Sequence, residues 1–324
     1  MSESSGMRAE SYLSPETLVQ LSPFDLRARM IVEGIRSGSH ASPLQGLSVE
    51  FEQHRQYAPG DDVRHLDWKV YARTDRLAIK QYEQETNLDV IMLVDCSASM
   101  RFGSLQVKQG WGGTRASDAS GVWTKFDHAT ATATALSWMA LQQSDRVGLS
   151  LFANGITQTT GRTSNTGQWR RIVSILSSHP VDDGTDIDRM AEQALSSITN
   201  RSLFIIISDF LQDPEEIRSA MARFRHRKHD VICLQTLDHE EINFNLQDPS
   251  ILIDLELQDR IRIDPPAIRE AYLEALEDHQ NQLRSMLVGF GFDHHLLDTH
   301  DSVGPSIAHV AAHRSNWMKS HHGR

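Results

Sequence analysis

The chain has 324 residues, enough for about two domains of ordinary size. Its 32 basic and 43 acidic side chains give a net charge of −11, which argues against sequence-independent binding to nucleic acid or to an anionic membrane surface. No apolar run approaches the roughly 18 residues of a membrane span, and the polar start of the chain lacks a signal-peptide core. We therefore expect a soluble, cytoplasmic protein with no membrane insertion.

The two cysteines, Cys96 and Cys233, both lie inside apolar runs and have no metal-ligand spacing. They exclude a disulfide scaffold and a cysteine zinc site. We expect Cys96 to be a small buried packing residue rather than a reactive thiol.

The first part of the chain predicts a leader followed by a small module. Residues 1–22 are rich in serine and glutamate with little periodicity, and we expect a flexible leader there. Apolar residues at helical spacing predict a helix from Pro23, and alternating apolar and polar residues predict strands at 47–51 and 77–82. Residues 23–87 are therefore predicted to form an N-terminal module that contains strands.

Beyond this module the pattern changes to short, nearly continuous apolar runs separated by helical or loop sequence. Strands that are apolar on both faces occur in parallel sheets covered by helices on each side. Residues 88–238 are therefore predicted to form an α/β domain with a doubly wound, mostly parallel sheet. The four runs lie at 89–94, 146–152, 203–208 and 231–237.

Two helices of the second half have clear ends in the sequence. Asp213 offers an N-cap that is followed by proline and glutamate. Asp264 precedes a longer helix that we expect to end at Gly289 or Gly291. Residues 239–324 are thus predicted to be an extension with a helix and a strand, which either completes the α/β domain or packs beside it.

The connection after the first long strand, residues 103–124, is unusually long. Loops in such folds commonly have about two to six residues, so this segment is predicted to be an insertion. It contains Trp111 and Trp123, which either pack back on the domain or present aromatic anchors to a partner. We favour packing.

The end of the first long strand carries oxygen-bearing side chains, namely Asp95, Ser97 and Ser99. Open α/β sheets bind ligands outside the carboxyl ends of their strands, where the strand order reverses. The alternate spacing of the serines lets both hydroxyls face one point. Mg²⁺ prefers oxygen ligands and keeps several waters, so two hydroxyls with few carboxylates suit part of its coordination shell.

Two more oxygen donors are expected at the same edge of the sheet. Asp209 follows the third apolar run, and Thr185 lies on a Gly-Thr-Asp loop before a helix. Each also has a structural explanation, because Thr185 can cap the helix from Asp186 and Asp209 can begin a loop. Their joint occurrence with Asp95 at matching strand ends favours a metal site.

These five positions resemble the metal-ion-dependent adhesion site of von Willebrand factor type A domains. A second resemblance covers almost the whole chain and is to the bacterial family known as domain of unknown function 58. The insertion at 103–124 departs from the pattern of that family. The segments that carry the second resemblance are 38–43, 48–51, 57–64, 67–74 and 80–85.

The resemblance implies a non-enzymatic protein that works with a MoxR-type AAA+ ATPase in chaperone-like remodelling or activation of client proteins. It implies that the serines and the threonine bind the ion directly and that the aspartates act directly or through water. One coordination position stays open for an acidic side chain of the partner. We expect the ion to be Mg²⁺, or alternatively Mn²⁺ or Ca²⁺.

Two other classes of protein compete with this interpretation. An aspartate after an apolar strand is also the nucleophile of phosphotransferases of the haloacid dehalogenase type, but these place a second aspartate two residues on, where this chain has Ser97. A scaffold with a vacant site is the other alternative. Nucleotide binding is disfavoured, because no strand is followed by a glycine-rich phosphate loop.

Overall fold

The fold is described from a computed structural model. It covers residues 53–56, 68–74, 77–81, 88–106, 121–165, 167–178, 184–246, 250–253 and 260–304. The chain divides into two compact units, one formed by residues 43–87 and one by the rest. The predicted leader, the helix from Pro23 and the strand at 47–51 lie outside the described residues.

The smaller unit contains a two-stranded antiparallel sheet. Strand β1 (Gln53–Gln56) pairs with β2 (Ala78–Gln81) so that the first residue of one faces the last residue of the other. Helix α1 (Trp68–Thr74) connects them. The strand predicted at 77–82 is thus confirmed by β2.

The larger unit contains the remaining helices and strands, with a short 3₁₀ turn after its first strand. In chain order these elements are β3 (Asp89–Asp95), the 3₁₀ turn (Ala98–Arg101), β4 (Leu105–Gln106), β5 (Val122–Trp123), α2 (Lys125–Gln142), β6 (Arg146–Ala153), β7 (Gly155–Thr159), α3 (Gly167–Ser178), α4 (Ile187–Ser196), β8 (Leu203–Ser208), α5 (Pro214–His226), β9 (Asp230–Leu237), α6 (His239–Asn243), β10 (Ser250–Ile253), β11 (Arg260–Ile263), α7 (Pro265–Phe290) and β12 (Asp293–Asp298).

Six of these strands form the central sheet, in the order β12-β9-β8-β3-β6-β7. All neighbours are parallel except β6 and β7, which form an antiparallel hairpin at one edge. The chain leaves β3 for β6 on one side and later returns to β8 on the other. The carboxyl end of β3 is therefore the topological switch point of a doubly wound sheet, which confirms the predicted fold class.

The sheet is buried on both faces. On β3, Val90, Met92 and Val94 belong to the apolar layer under α2 and α3. Ile91 and Leu93 face the opposite layer, which α4, α5 and α7 cover. Because side chains alternate along a strand, burial on both faces explains the continuous apolar runs of the sequence.

Capping residues mark the start of helix α5 and the end of helix α7. The Asp213 side chain accepts a hydrogen bond from the backbone N–H of Glu215 (2.7 Å) at the start of α5. Helix α7 ends at Phe290 and is capped by Gly291, whose φ of 73° is the left-handed conformation that favours glycine. Strand β12 then pairs with β9, so the chain beyond 238 contributes a strand to the central sheet.

The long connection after β3 begins and ends as a small hairpin. Strand β4 pairs antiparallel with β5, with Leu105 opposite Trp123. Trp123 is fully buried in the layer under α2, so this tryptophan packs on the domain as expected. Trp111 lies outside the described residues. Among the helices that the structure describes, none has the length and apolar character needed to cross a membrane.

Candidate functional site

Asp95 is the last residue of β3, and its side chain is fully buried. The backbone N–H of Ser97 donates to its Oδ1 (2.9 Å), and the hydroxyl of Ser208 donates to its Oδ2 (2.6 Å). Ser208 ends the neighbouring strand β8. The carboxylate is therefore held at the switch point by its own loop on one side and by the next strand on the other.

The two serines of this loop bring their hydroxyls together. Ser97 Oγ and Ser99 Oγ are 3.2 Å apart. The 3₁₀ turn fixes them, because the backbone N–H of Met100 donates to Ser97 O (3.1 Å) and that of Phe102 donates to Ser99 O (3.2 Å). The convergence expected from their alternate spacing is confirmed.

Asp209 follows β8 and is also fully buried. Its backbone carbonyl accepts a hydrogen bond from Gln235 Nε2 (3.0 Å) on β9. The next residue, Phe210, has a φ of 51°, in the left-handed region that a bulky residue rarely adopts. His279 Nε2 on α7 lies 2.7 Å from the carbonyl oxygen of Phe210. Two neighbouring elements thus hold a strained turn in place beside Asp209.

The two aspartates influence each other electrostatically. Burial raises the pKa of Asp95 to about 7, and the charge of Asp209 acts in the same direction. Hydrogen bonds from Ser208 and Ser97 oppose this rise by favouring the carboxylate. Two carboxylates in a buried site repel each other, and a cation between them would relieve that repulsion.

Thr185 lies just before α4 at the same edge of the sheet. The backbone N–H of Asp186 donates to Ala153 O at the end of β6 (2.9 Å), which anchors this loop beside β3. Asp186, and not Thr185, is the N-cap, because its side chain accepts from the N–H of Arg189 (2.8 Å). Within the described part of the chain, Thr185 Oγ1 is buried without a hydrogen-bond partner. Capping therefore does not explain Thr185.

A buried lysine that no sequence pattern predicts lies beside these donors. Lys125 is the first residue of α2, and its side chain is 1% exposed. Its Nζ donates to Asp209 Oδ2 (2.9 Å) and to Glu241 Oε1 (2.8 Å). Burial disfavours the ammonium, but the charges of the two carboxylates outweigh burial and raise the pKa of Lys125 above its ordinary value. Burial raises the pKa of Glu241, and Lys125 opposes that rise.

The predicted donors form a set that suits a hard divalent cation. Asp95, Ser97 and Ser99 share one loop, Asp209 lies close enough to act on Asp95, and Thr185 stands at the same edge with an unsatisfied hydroxyl. Within the described ranges no group of three or more histidine, cysteine, aspartate or glutamate side chains could hold a metal. A hydroxyl-rich set with two carboxylates fits an ion such as Mg²⁺, which retains waters.

The fold and this cluster define an α/β protein with a buried polar site at the switch point of its sheet. The chain belongs to the family described as Protein of unknown function DUF58, whose model matches residues 53–282. That stretch includes the whole cluster. The family resemblance noted from the sequence is confirmed.

Relatives of similar length are uncharacterised. Rv1480 of Mycobacterium tuberculosis and Mb1516 of Mycobacterium bovis are each 26% identical to this chain over 314 residues. The match covers 95% of this chain and 93% of each relative.

Solved structures with a similar arrangement include a conserved hypothetical protein and a named domain. BatB from Bacteroides thetaiotaomicron has a TM-score of 0.46 and 15% identity, over 72% of this chain and 99% of its own. The SpRpn10 VWA domain has a TM-score of 0.38 and 11% identity, over 68% of this chain and 94% of its own.

Proposed function

We propose that the larger unit is a non-enzymatic, metal-dependent protein interaction module. The observation that carries the proposal is the buried, unpartnered hydroxyl of Thr185 at the edge where the other donors lie. A buried polar atom without a partner costs free energy. Coordination of a bound cation by this hydroxyl oxygen would explain why a threonine is present at position 185. The residues proposed to hold Mg²⁺, or alternatively Mn²⁺ or Ca²⁺, are Asp95, Ser97, Ser99, Thr185 and Asp209.

The residues of the chain prepare this site. Hydrogen bonds from Ser97 and Ser208 fix the orientation of the Asp95 carboxylate before any ligand arrives. The 3₁₀ turn holds the serine hydroxyls on the same side. When bound, the ion would offer an electrophilic position to a carboxylate oxygen of a partner. The acidic character of the chain as a whole makes such a local positive point the place where an acidic partner is attracted.

Two exposed apolar side chains lie near the site residues in the chain, which supports a protein partner. Phe102 directly follows the 3₁₀ turn and is 37% exposed, and Leu211 lies two residues after Asp209 and is 45% exposed. Protein interfaces combine apolar contact area with polar contact points, and these side chains offer apolar area beside the polar site. We propose an acidic side chain flanked by apolar residues as the element of the partner that binds here.

The family resemblance supports a more specific partner. We propose a MoxR-type AAA+ ATPase that acts with this chain on a client protein in the cytoplasm.

The phosphotransferase alternative lacks a general acid, because the residue two positions after Asp95 is Ser97, whose hydroxyl contacts Ser99.

Substitution of Thr185 provides the cleanest test of the metal site. Because its hydroxyl has no partner among the described residues, Thr185→Val removes an oxygen without breaking an internal hydrogen bond. We expect Mg²⁺ to raise the melting temperature of the wild type, and Thr185→Val to weaken Mg²⁺ binding by about tenfold or more in isothermal titration calorimetry. Stability without metal should rise slightly, because the substitution removes a buried hydroxyl that has no partner among the described residues.

Thr134→Val is the matched control, because the hydroxyl of Thr134 is also buried without a partner in the described structure, but lies within α2. It should bind Mg²⁺ like the wild type. A flat titration of the wild type, or equal affinities for Thr185→Val and the wild type, would contradict the site.

Capture of the ATPase from solution should be lost when a chelator is added, and capture that resists the chelator would contradict a metal-dependent contact.

A further inference from the structure

Lys125 places a permanent positive charge inside the candidate site. Its ammonium nitrogen lies between Asp209 Oδ2 (2.9 Å) and Glu241 Oε1 (2.8 Å), with the side chain 1% exposed. Lysines are almost never buried to this degree unless they are paired. The whole first turn of α2 is buried, so the ammonium depends on these two carboxylates to compensate its charge.

Both ends of the Lys125–Glu241 ion pair are fixed by helix caps. Lys125 directly follows Thr124, which forms a capping box with Asp127, and the backbone N–H of Lys125 donates to Phe102 O (2.8 Å). Glu241 belongs to the capping box of α6, since its Oε2 accepts from the backbone N–H of Asp238 (2.8 Å). The bridge therefore joins the start of α2, the start of α6 and the turn after β8.

The charges around the site can be counted. With Asp95 ionised, the three carboxylates of Asp95, Asp209 and Glu241 and the ammonium of Lys125 sum to −2. Removing the lysine charge alone makes the sum −3, and neutralising Glu241 alone makes it −1. Removing both returns the sum to −2. A divalent cation bound beside Asp209 responds to each of these changes strongly, because a buried site screens charge poorly.

We propose that the charge of Lys125 beside Asp209, balanced by that of Glu241, sets the affinity of the site for its divalent cation. The inference rests on the proposed metal site and adds the residues that tune it. A cation whose nearest carboxylates are partly neutralised keeps more of its positive charge, and it binds the carboxylate of a partner more strongly as a result. Lys125 thus lowers the affinity of the site for the cation and raises the affinity of the bound cation for the partner.

The test is isothermal titration of the full chain with Mg²⁺, using three variants. We expect Lys125→Met to bind Mg²⁺ about tenfold or more tightly than the wild type, and Glu241→Gln to bind it about tenfold or more weakly. The double variant should lie near the wild type, since its charge sum is the same. Lys125→Arg, which keeps the charge, should resemble the wild type more than Lys125→Met does.

A purely structural role for the bridge predicts a different pattern, in which every variant loses affinity. If the Mg²⁺ affinities of all variants fall, or if none of them differs from the wild type, the inference about Lys125 is wrong. Binding of Mg²⁺ by the wild type would still support the proposed metal site in that case. Absence of Mg²⁺ binding by the wild type overturns both. If Lys125→Met does not fold, comparison of Glu241→Gln with the double variant makes the same distinction, because these two differ only at residue 125.

Discussion

Burial disfavours the charged form of two ionisable side chains on the first turn of α2, but only one of them stays charged. Lys125 keeps its charge because carboxylates lie against it. His128 is instead neutral near pH 7, since burial lowers its pKa to about 4. The charge of Asp298 and a backbone hydrogen bond to Thr299 oppose this lowering. The N–H of Trp123 donates to Nδ1 of His128 (3.4 Å), which fits a neutral ring. At the scale of single residues, the partner decides whether a buried base is charged.

The state of His128 predicts how stability depends on pH. Because the pKa is about 4 in the folded protein and 6.5 in an unperturbed histidine, this residue contributes stability above pH 6.5 that is lost as the pH falls towards 4. We expect the free energy of unfolding to fall by about 2 kcal/mol between about pH 7 and pH 5 through this residue alone.

Urea unfolding at the two pH values checks this expectation. His128→Gln should show a fall in stability with acid that is smaller by that amount. His226→Gln, on the last turn of α5 near solvent, serves as control and should keep the wild-type slope. Equal slopes for His128→Gln and the wild type would contradict a neutral buried ring.

At this scale the sequence predicted the donors but not the lysine. Asp95, Ser97 and Ser99 form a local pattern, and Asp209 directly follows an apolar strand. Lys125 lies 84 residues from Asp209 and 116 from Glu241 in the chain, so no local spacing relates them. A lone lysine after a long loop is ordinarily a surface residue. The only available signal was a charge in the first turn of an alanine- and threonine-rich helix.

At the scale of elements, the insertion after β3 depends on a glycine. A Cβ on Gly103 would overlap the carbonyl oxygen of Trp123 and come within 2.8 Å of its carbonyl carbon. Since both are backbone atoms of the facing strand, they cannot move aside as a flexible side chain could. The close approach at Gly103 brings the start of the insertion against its end, immediately before α2 and Lys125.

We therefore expect Gly103→Ala to lower the free energy of unfolding by about 1–3 kcal/mol, measured by urea denaturation. Gly289→Ala is the matched control, because a Cβ there meets nothing within 4 Å and lies on the exposed face of α7. It should raise stability by about 0.5–1 kcal/mol, since alanine favours a helix over glycine. The same response at both positions would contradict the crowding at Gly103.

The elements that the sequence predicted are those whose pattern is set by burial on both faces. The four apolar runs correspond to β3, β6, β8 and β9 within one residue at each end. The hairpin strand β7 was not predicted, because it lies at the edge of the sheet and most of it is exposed. Its residues show neither a continuous apolar run nor a clear alternation. Edge position, which is a property of the whole sheet, cannot be recognised from five residues.

At the scale of the whole molecule, Asp238 links three distant parts of the larger unit. It is fully buried and accepts hydrogen bonds from the backbone N–H (3.0 Å) and the hydroxyl (2.5 Å) of Ser104. Ser104 follows the loop that carries Ser97 and Ser99, which is called the site loop below. It also accepts from the hydroxyl of Thr299 (2.7 Å), after β12, and from the N–H of Glu240 (3.0 Å) in α6. One carboxylate therefore ties the site loop to the last strand of the sheet.

Asp238→Ala should lower the free energy of unfolding by about 3 kcal/mol, because it leaves the buried hydroxyl of Thr299 and the half-buried donors of Ser104 and Glu240 without an acceptor. Asp213→Ala, which loses the cap of α5, is a suitable comparison and should cost about 1 kcal/mol. Urea denaturation of both variants measures the difference. A cost for Asp238→Ala no greater than that for Asp213→Ala would mean that the link contributes little.

The link through Asp238 has a consequence for the order of events during synthesis. Ser104 leaves the ribosome long before Thr299, and the acceptor that joins them is complete only when the final strand has formed beside β9. The loop that carries Ser97 and Ser99 thus acquires its last supports late. A chain truncated before Thr299 would lack this second partner of Asp238, and the hydrogen bonds between Asp238 and Ser104 would have to hold the two segments together alone.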